Sequence, residues 1–493
     1  MKDDLSQISK VTRGGLWLYL DLVLTCFIGY LYWLVISRVA GPVAIGVASA
    51  TIGLASIVGQ ACFLGIPMGV QRFFGGCINS GDPVDIGVYL GSSIAAIIVL
   101  SLVGGSVVLW AVLTNVLRVR VGIVTIAGVL VLLDGVCQVL RSLFASALRT
   151  YIITLSSIVA GAARFVVGVS LVYAGWGGIG AAVGYIAATA TALVVLTYFL
   201  FSKFNGVKLG LSQLASKEVV KAGLASWPGA VLSSVGMWLG VLVVFGAYGA
   251  AETGLYYVAL AVASLVIALP QSILMLMYPL LSGVNEGGET TAWRATKLGL
   301  AISTPLSVTL ALYPRLVLGL LGVDYLEASL ELTVLSLSAA PIALFTGIWS
   351  FAYAYGYYRL VLALGLSQTA PRVLLYLWLA RLGGVGAAYG FLAGSIIGAA
   401  SAIVVAGKVG LKISWRDLSI LVLVPAALGI LTLSTHLPWF LGPPLIVFLS
   451  LQSYTRFNVV SREDLRELIQ ALLPRKAANL LELHTVFKIL YGD

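Results

Sequence analysis

The sequence predicts an all-α polytopic membrane protein of about fourteen transmembrane helices, arranged as two six-helix bundles plus a C-terminal helix pair. Three observations predict this fold class: the composition, a succession of long apolar runs, and an internal repeat. Of the 493 residues, 60% are hydrophobic and only 10% are charged, whereas soluble domains typically contain about 25% charged residues. This composition excludes a water-soluble fold.

Each apolar run is long enough to cross a bilayer, because a hydrocarbon core about 30 Å thick requires roughly 20 helical residues. Residues 1–13, which precede the first run, lack the pattern of a cleaved leader, so we expect a retained cytosolic tail. Charged residues, glycine or proline bound the predicted spans, which cover residues 15–37, 43–66, 88–112, 121–145, 151–173, 178–201, 223–247, 253–281, 298–321, 328–353, 361–380, 385–407, 418–436 and 441–457.

The distribution of Lys and Arg predicts the orientation. With the N-terminus inside, 22 of the 29 Lys and Arg residues fall in the tails and the even-numbered connections, and five fall in the external connections. Positive charge is retained on the cytosolic side of membrane proteins. We therefore expect both termini in the cytosol of a multi-pass plasma membrane protein. The net charge of +10 is explained in this way, and no nucleic acid partner is expected.

An internal repeat relates the two halves. A shift of 208 residues places Gly15 on Gly223, and a shift of 206 places GGIGAAVGY (177–185) on GGVGAAYGF (383–391). Because each unit has six helices, both halves enter the membrane from the same side. A pseudo-twofold axis along the membrane normal would then relate the halves, as in some secondary transporters. The glycine strings do not follow a strand, and we interpret them as close helix-packing sites.

These observations divide the chain into five segments. The segment at the C-terminus has apolar residues at helical spacing among basic ones, which fits both a helix on the inner membrane surface and a solvated tail. The predicted segments are an N-lobe (1–201), a cytosolic linker (202–222), a C-lobe (223–407), helices thirteen and fourteen (408–457), and a cytosolic amphipathic tail (458–493).

Four ionisable residues stand out because they lie well inside predicted spans, where a charge costs about 2.5 to 3.5 kcal/mol on insertion scales. Asp134 and Arg164 flank one cytosolic hairpin at similar depth, which fits either a buried ion pair or a substrate or proton site. Asp21 is a candidate for ion coupling, as is Asp134, although Asp21 is also close enough in sequence to pair with Arg13.

Arg372 follows Arg164 by 208 residues, so both halves contain an arginine at nearly equivalent positions. The corresponding part of helix ten, around residues 341–344, offers Arg372 no carboxylate. The planar guanidinium suits a diphosphate, which favours substrate contact. Arg38 in an external connection and Gln60 within a span are further candidates for substrate binding. Four separated cysteines and two distant histidines offer no metal site, and there is no GxxxxGK[ST] loop for ATP. No cofactor is expected.

Several segments resemble the polysaccharide flippases of the multidrug, oligosaccharidyl-lipid and polysaccharide exporter superfamily. The motifs, which occur in the same order as in that family, are SRVAGPVAIG (37–46), FLGIPMGVQRFF (63–74), GAAETGLYYVALAVASL (249–265), YPLLS (278–282) and LLGVDYLEA (320–328).

The resemblance implies two bundles around a central cavity that is often cationic. It also implies outward movement of a lipid-linked oligosaccharide on a polyprenyl-type phosphate or diphosphate, by alternating access and without enzymatic activity. Membrane lipids and, in the same pathway, glycosyltransferases or a polymerase are the implied partners. Two alternatives stay open: a multidrug efflux antiporter coupled to H⁺ or Na⁺, and a membrane-embedded glycosyltransferase or ligase, against which the short external connections argue.

Overall fold

The computed structural model describes residues 2–80, 83–114, 120–204, 206–282, 288–435 and 440–461, and every regular element in this part of the chain is a helix. A π-helical turn (Val172–Trp176) and two 3₁₀ turns (Val323–Ala328 and Ala380–Leu382) accompany the α-helices. The α-helices are α1 (Lys2–Cys62), α2 (Ile66–Ser80), α3 (Pro83–Leu113), α4 (Val121–Ser146), α5 (Thr150–Leu171), α6 (Gly177–Lys203), α7 (Gln213–Gly223), α8 (Trp227–Tyr248), α9 (Ala250–Ser282), α10 (Gly288–Leu312), α11 (Pro314–Leu321), α12 (Ser329–Ser336), α13 (Ala339–Ala354), α14 (Tyr358–Trp378), α15 (Gly383–Lys408), α16 (Trp415–Ser434) and α17 (Gly442–Arg456).

Within the described residues, eleven segments are long and apolar enough to cross a membrane. The prediction of a multi-pass all-α membrane protein is therefore confirmed. The number is smaller than the predicted fourteen partly because Val23–Cys62 and Thr150–Lys203 each contain two predicted spans. Their 40 and 54 residues correspond to about 60 and 80 Å of helix, at least twice the thickness of a hydrocarbon core.

A glycine interrupts each of these two long segments between the predicted spans. Gly41 has φ 68° and ψ −175°, and Gly175 has φ 88°. Side chains disfavour these positive φ values, which glycine adopts without steric cost. The helical path therefore breaks where the sequence predicted a connection. The last predicted span corresponds to α17, which has 15 residues and is too short to count as a span by length alone.

Two helices were not predicted as separate elements. α2 follows the second predicted span, and α7 lies within the segment predicted as a polar linker. The hydroxyl of Ser212 caps α7 by accepting a hydrogen bond from the backbone N–H of Ala215 at 3.3 Å. Such a cap satisfies one of the free N–H groups of a helix start.

The chain forms two compact units, one from residues 1–258 and 375–387, the other from 259–374 and 388–493. The core of the first unit contains Phe63, Phe74 and Phe144, all nearly completely buried. The lobe and segment bounds given above, the symmetry axis and the cytosolic orientation of the termini remain predictions. The tail beyond residue 461 lies outside the described residues, as do both histidines.

Candidate functional site

Arg164 on α5 lies against two aromatic rings in the first unit. Its guanidinium carbon is 5.2 Å from the ring centroid of Tyr32 on α1 and 4.9 Å from that of Tyr185 on α6. Cations bind to aromatic faces at such distances because of the ring quadrupole. Arg164 as a residue is only partly buried, although its Nε atom is buried without a hydrogen-bond partner among the described residues. The two rings therefore do not enclose the side chain completely.

The two tyrosines belong to a chain of aromatic contacts that we call the aromatic cluster. Its members are Tyr32, Trp33, Tyr185, Trp238 and Tyr257. Tyr185 lies 5.9 Å from Tyr32 and 6.0 Å from Trp33, Trp33 lies 5.2 Å from Tyr257, and Tyr257 stacks on Trp238 at 5.9 Å between ring centroids. The cluster thus connects four helices of the first unit, α1, α6, α8 and α9, and contributes the aromatic surroundings of Arg164.

Glycines on α5 and α6 create the space for the ring of Tyr32. The Tyr32 hydroxyl donates to the carbonyl of Ala181 at 2.8 Å. A Cβ atom on Gly168 would overlap that hydroxyl, and one on Gly184 would lie 2.8 Å from the Cα atom of Gly168. The predicted role of Gly184 in close helix packing is therefore confirmed.

A second polar feature lies on α4 and comprises Asp134, Gln138 and Arg141, which we call the α4 polar stripe. The Gln138 amide donates to Asp134 Oδ2 at 2.7 Å, and Arg141 Nη2 donates to the hydroxyl of Ser157 at 3.3 Å. The three residues are spaced at i, i+4 and i+7 and so share one helix face. Asp134 is exposed on this face, which makes its carboxylate available for a cation or proton.

The structure does not bring Asp134 and Arg164 into an ion pair. In the described residues the carboxylate of Asp134 takes its hydrogen bond from its own helix, whereas the guanidinium of Arg164 lies on the rings of Tyr32 and Tyr185. The ion pair that was one of two interpretations of these residues is absent, because each charge has a nearer partner.

The other candidates in the first unit are more dispersed. Asp21 is partly buried, and its Oδ1 atom has no hydrogen-bond partner among the described residues. The side chain of Arg13 lies outside the described set, so its pairing with Asp21 stays a prediction. Arg38 is exposed on α1, and Gln60 is partly buried. The backbone carbonyl of Gln60 accepts a hydrogen bond from the Trp227 indole N–H at 3.1 Å.

Arg372 lies in the second unit and is only 6% exposed. Its Nη2 donates to the hydroxyl of Ser395 at 2.7 Å, and its guanidinium carbon is 4.0 Å from the ring centroid of Phe391. A Cβ atom on Gly394 would overlap its aliphatic stem. We expected Arg372 to face an aqueous cavity, but in this conformation it is enclosed between α14 and α15. Its contact with substrate stays a prediction.

The two arginines nevertheless have the same local arrangement. Arg164 lies over Tyr185, and Arg372, 208 positions later, lies over Phe391, which the glycine-string alignment places opposite Tyr185. The internal repeat is thus visible as a recurring arginine–aromatic contact, formed separately in each unit.

Sequence reasoning missed Arg141 and the aromatic cluster. Arg141 was included in the count of cytosolic charge and not considered as a site residue, although it lies within the predicted span 121–145 and within the observed span Val121–Ser146. Its helical spacing from Asp134 was an available signal. For Tyr185 the signal was its alignment with another aromatic residue in the repeat. Trp33 and Tyr257 had no comparable signal in a sequence rich in aromatic residues.

Comparisons with known proteins agree with the resemblance read from the motifs. Residues 88–330 match the model of a family described as polysaccharide biosynthesis protein. No curated protein sequence matches the chain significantly.

Solved membrane transporters with little sequence identity to this chain share its fold. The lipid II flippase MurJ in an inward closed conformation superimposes with a TM-score of 0.71 at 13% identity, covering 89% of this chain and 98% of that chain. An inward-facing multidrug resistance MATE family transporter superimposes with a TM-score of 0.65 at 16% identity, covering 80% of this chain and 97% of that chain. A MOP superfamily transporter from Pyrococcus furiosus superimposes with a TM-score of 0.57 at 15% identity, covering 82% of this chain and 96% of that chain.

Proposed function

We propose, from the match of residues 88–330 to a family described as polysaccharide biosynthesis protein, that this protein is a flippase for a lipid-linked oligosaccharide. The observation that carries the proposal is that family match in a chain with the fold of membrane transporters rather than enzymes. The substrate would be an oligosaccharide on a polyprenyl-type phosphate or diphosphate, moved from the cytosolic to the outer leaflet by alternating access. One structure with this fold is itself named a flippase.

Arg164 is the residue that we propose for contact with the phosphate groups. A guanidinium presents a planar fork of donors that matches phosphate oxygens bidentately. The rings of Tyr32 and Tyr185 hold the side chain in position, so little side-chain freedom would be lost on binding. Arg38 and Gln60 are secondary candidates, and Arg372 would take part only in a conformation that uncovers it.

The energetics favour transport without ATP. With both termini in the cytosol of a plasma membrane, outward movement of one negative charge is favoured by about 2.3 kcal/mol per 100 mV of membrane potential. Partial replacement of the phosphate hydration by Arg164 would lower the barrier in the hydrocarbon region. Glycosyltransferases or a polymerase of the same pathway would supply and consume the lipid-linked glycan.

Translocation assays in proteoliposomes test this proposal. The vesicles contain the purified protein and polyprenyl-diphosphate-linked N-acetylglucosamine, and the readout is the time course of oxidation of the sugar by a membrane-impermeant reagent. We expect the wild-type protein to expose the inner-leaflet pool, and Arg164→Gln to slow exposure at least about tenfold. Arg164→Lys should retain the charge but lose the bidentate geometry, with an intermediate rate.

Arg381→Gln is a matched control, because Arg381 also lies over an aromatic ring, 5.9 Å from the centroid of Trp378, but is exposed. We expect this variant to translocate at the wild-type rate. Sugar exposure no faster than in protein-free vesicles would overturn the flippase proposal. Full activity of both Arg164 variants would overturn the role of Arg164 while leaving the flippase proposal standing.

A multidrug efflux antiporter coupled to H⁺ or Na⁺ is the second candidate. The exposed carboxylate of Asp134, hydrogen-bonded to Gln138, favours it, because such antiport needs a titratable or cation-binding group. Asp21 is the other coupling candidate. The same vesicles loaded with ethidium decide: efflux driven by an ion gradient and abolished by Asp134→Asn, together with no sugar exposure, would establish the antiporter instead.

A further inference from the structure

The helices α10, α12 and α13 form an antiparallel contact in the second unit. Its register can be read from two contacts, and the shared cluster of a third pair agrees with it. Thr296 faces Gly347, where a Cβ atom would overlap the threonine hydroxyl. Leu300 and Ala343 share one buried cluster. The Ser307 hydroxyl donates to the carbonyl of Ser336 at 2.5 Å. From pair to pair, the residue number on α10 rises by the same amount as the residue number on α12 or α13 falls.

This register brings the interruption between α12 and α13 against the middle of α10. The interruption comprises Leu337 and Ser338 and falls inside the candidate span Val323–Ala354. The register places Ser338 opposite Pro305, and Ser303 opposite Ala340. Ser303, Ser336 and Ser338 therefore lie within about one helical turn of the contact between Ser307 and Ser336.

These three serines are completely buried, and none of their hydroxyl oxygens has a hydrogen-bond partner among the described residues. Other buried serines of the same unit behave differently. Ser395 and Ser450 donate to the carbonyls four residues earlier, at 2.7 and 2.6 Å. A buried polar group without a partner costs about 1 to 3 kcal/mol, so a ligand coordinated by these three hydroxyls would remove an energetic cost.

Two prolines remove backbone hydrogen-bond donors at the same level. Pro305 lies inside α10, and Pro341 lies in the first turn of α13. Because proline has no N–H group, the carbonyls of Ala301 and Leu337 lack their usual helical donor. The interrupted helix, the serine hydroxyls and these carbonyls together provide a set of neutral oxygen atoms inside the membrane-spanning region.

We propose that the hydroxyls of Ser303, Ser336 and Ser338, with nearby backbone carbonyls, form a binding site for a monovalent cation of the size of Na⁺. Carbonyls of unwound helix segments coordinate such ions in secondary transporters. The oxygen set contains no carboxylate, which disfavours Ca²⁺ or Mg²⁺ as the ligand.

The surrounding charges are compatible with a cation. The basic residue Lys297 on α10 is neutralised by Asp417 at 3.1 Å. This site is separate from Asp21 and Asp134, which belong to the other unit.

Binding of Na⁺ to the purified full-length protein tests the inference without a lipid substrate. The midpoint of thermal unfolding is measured in detergent with 100 mM NaCl or 100 mM choline chloride, and ²²Na⁺ binding is measured in parallel. We expect Na⁺ to raise the wild-type midpoint by about 2 °C or more, because a ligand that binds only the folded state stabilises it. Ser303→Ala and Ser338→Ala should each abolish the shift and weaken ²²Na⁺ binding at least about tenfold.

Ser450→Ala is the matched control, since Ser450 is equally buried but hydrogen-bonded within α17; its Na⁺ shift should equal that of the wild type. An absence of ²²Na⁺ binding to the wild type would overturn the site, as would undiminished binding to both variants. In that case the hydroxyls are simply unsatisfied, and removing them should raise the midpoint equally in both salts. Because no transport is measured, failure here leaves the flippase proposal untouched.

Discussion

Tyr32 packs directly onto Gly168, with two ring carbons 2.9 and 3.0 Å from the position that a Cβ atom on the glycine would occupy. The repeat offset of 208 converts this pair into Gly240 and Tyr376, and these two residues are again in contact, with Tyr376 Cζ 3.2 Å from a Cβ atom on Gly240. The large and the small residue have exchanged helices. Each half thus conserves the volume of the contact, which supports a common origin of the halves.

Gly168→Ala should destabilise the protein, because the added methyl group forces the buried Tyr32 ring out of its position. Overpacking of a buried contact costs about 1 to 3 kcal/mol. Tyr32→Leu in the Gly168→Ala background should recover part of this loss, since it removes the overlapping hydroxyl and ring. The measurement is the midpoint of thermal unfolding in detergent.

Gly128→Ala on α4 is the control, because nothing lies within 4 Å of its Cβ position. We expect this change to be neutral or slightly stabilising, since alanine is the better helix former by about 1 kcal/mol. A Gly168→Ala protein as stable as Gly128→Ala would contradict the contact.

The spans could be predicted from sequence because hydrophobic length alone decides whether a helix can cross a bilayer. The breaks at Gly41 and Gly175 fell where glycine and charge bounded the predicted spans. α2 and α7 were missed as elements because a search for long apolar runs passes over short helices of mixed polarity. The exchange of tyrosine and glycine between the two halves could not be foreseen, since the alignment of Tyr32 with Gly240 looks like a mismatch until the contact is seen.

Arg372→Lys should lower the stability of the second unit. Lysine lacks the planar guanidinium that lies over Phe391 and donates to Ser395, so Ser395 loses a charged donor and the ring loses its cation. Loss of such a buried contact costs about 1 to 3 kcal/mol. The thermal midpoint measures the loss, and the double variant with Ser395→Ala should lose less than the sum of the two single changes.

The opposite result would change the assignment of Arg372. If Arg372→Lys kept the wild-type midpoint but stopped sugar exposure in vesicles, the arginine would act on the substrate rather than in packing. The charged residues inside the spans could be singled out from the sequence, because placing a charge in a membrane is costly. Whether an arginine is partly exposed, like Arg164, or enclosed, like Arg372, depends on contacts with neighbours such as Gly394. Such contacts cannot be read from a single sequence.

Gly91→Val on α3 should displace the segment that joins α6 to α7. Gly210 donates its N–H to the Gly87 carbonyl at 3.1 Å, and the Ser212 N–H donates to the Ser92 hydroxyl at 3.0 Å. A side chain at Gly91 would overlap the backbone of Gly210. We expect trypsin to cleave after Lys208 at least about tenfold faster, because local opening controls proteolysis.

Gly105→Ala on the same helix is the control for this experiment, as its Cβ position is open, and its cleavage rate should match the wild type. Equal rates for Gly91→Val and Gly105→Ala would show that the segment does not depend on its packing against α3.

Lys297→Met should loosen α16 from α10, because the ion pair of Lys297 with Asp417 joins these two helices at 3.1 Å. The side chains are 19% and 17% exposed, so the carboxylate left behind would be poorly hydrated, and we expect a loss of about 1 to 3 kcal/mol. Lys297→Met combined with Asp417→Asn should be more stable than Lys297→Met alone, since no charge is then left unpaired. Thermal midpoints at low and high NaCl measure both effects.

A buried pair is weakly screened, so the difference between Lys297→Met and the wild type should persist at 1 M salt. If it disappears there, the pair is a surface interaction, and the fastening of α16 rests instead on the Tyr454 hydroxyl, which donates to Leu421 on α16 at 2.9 Å and contacts Thr304 on α10 at 3.1 Å.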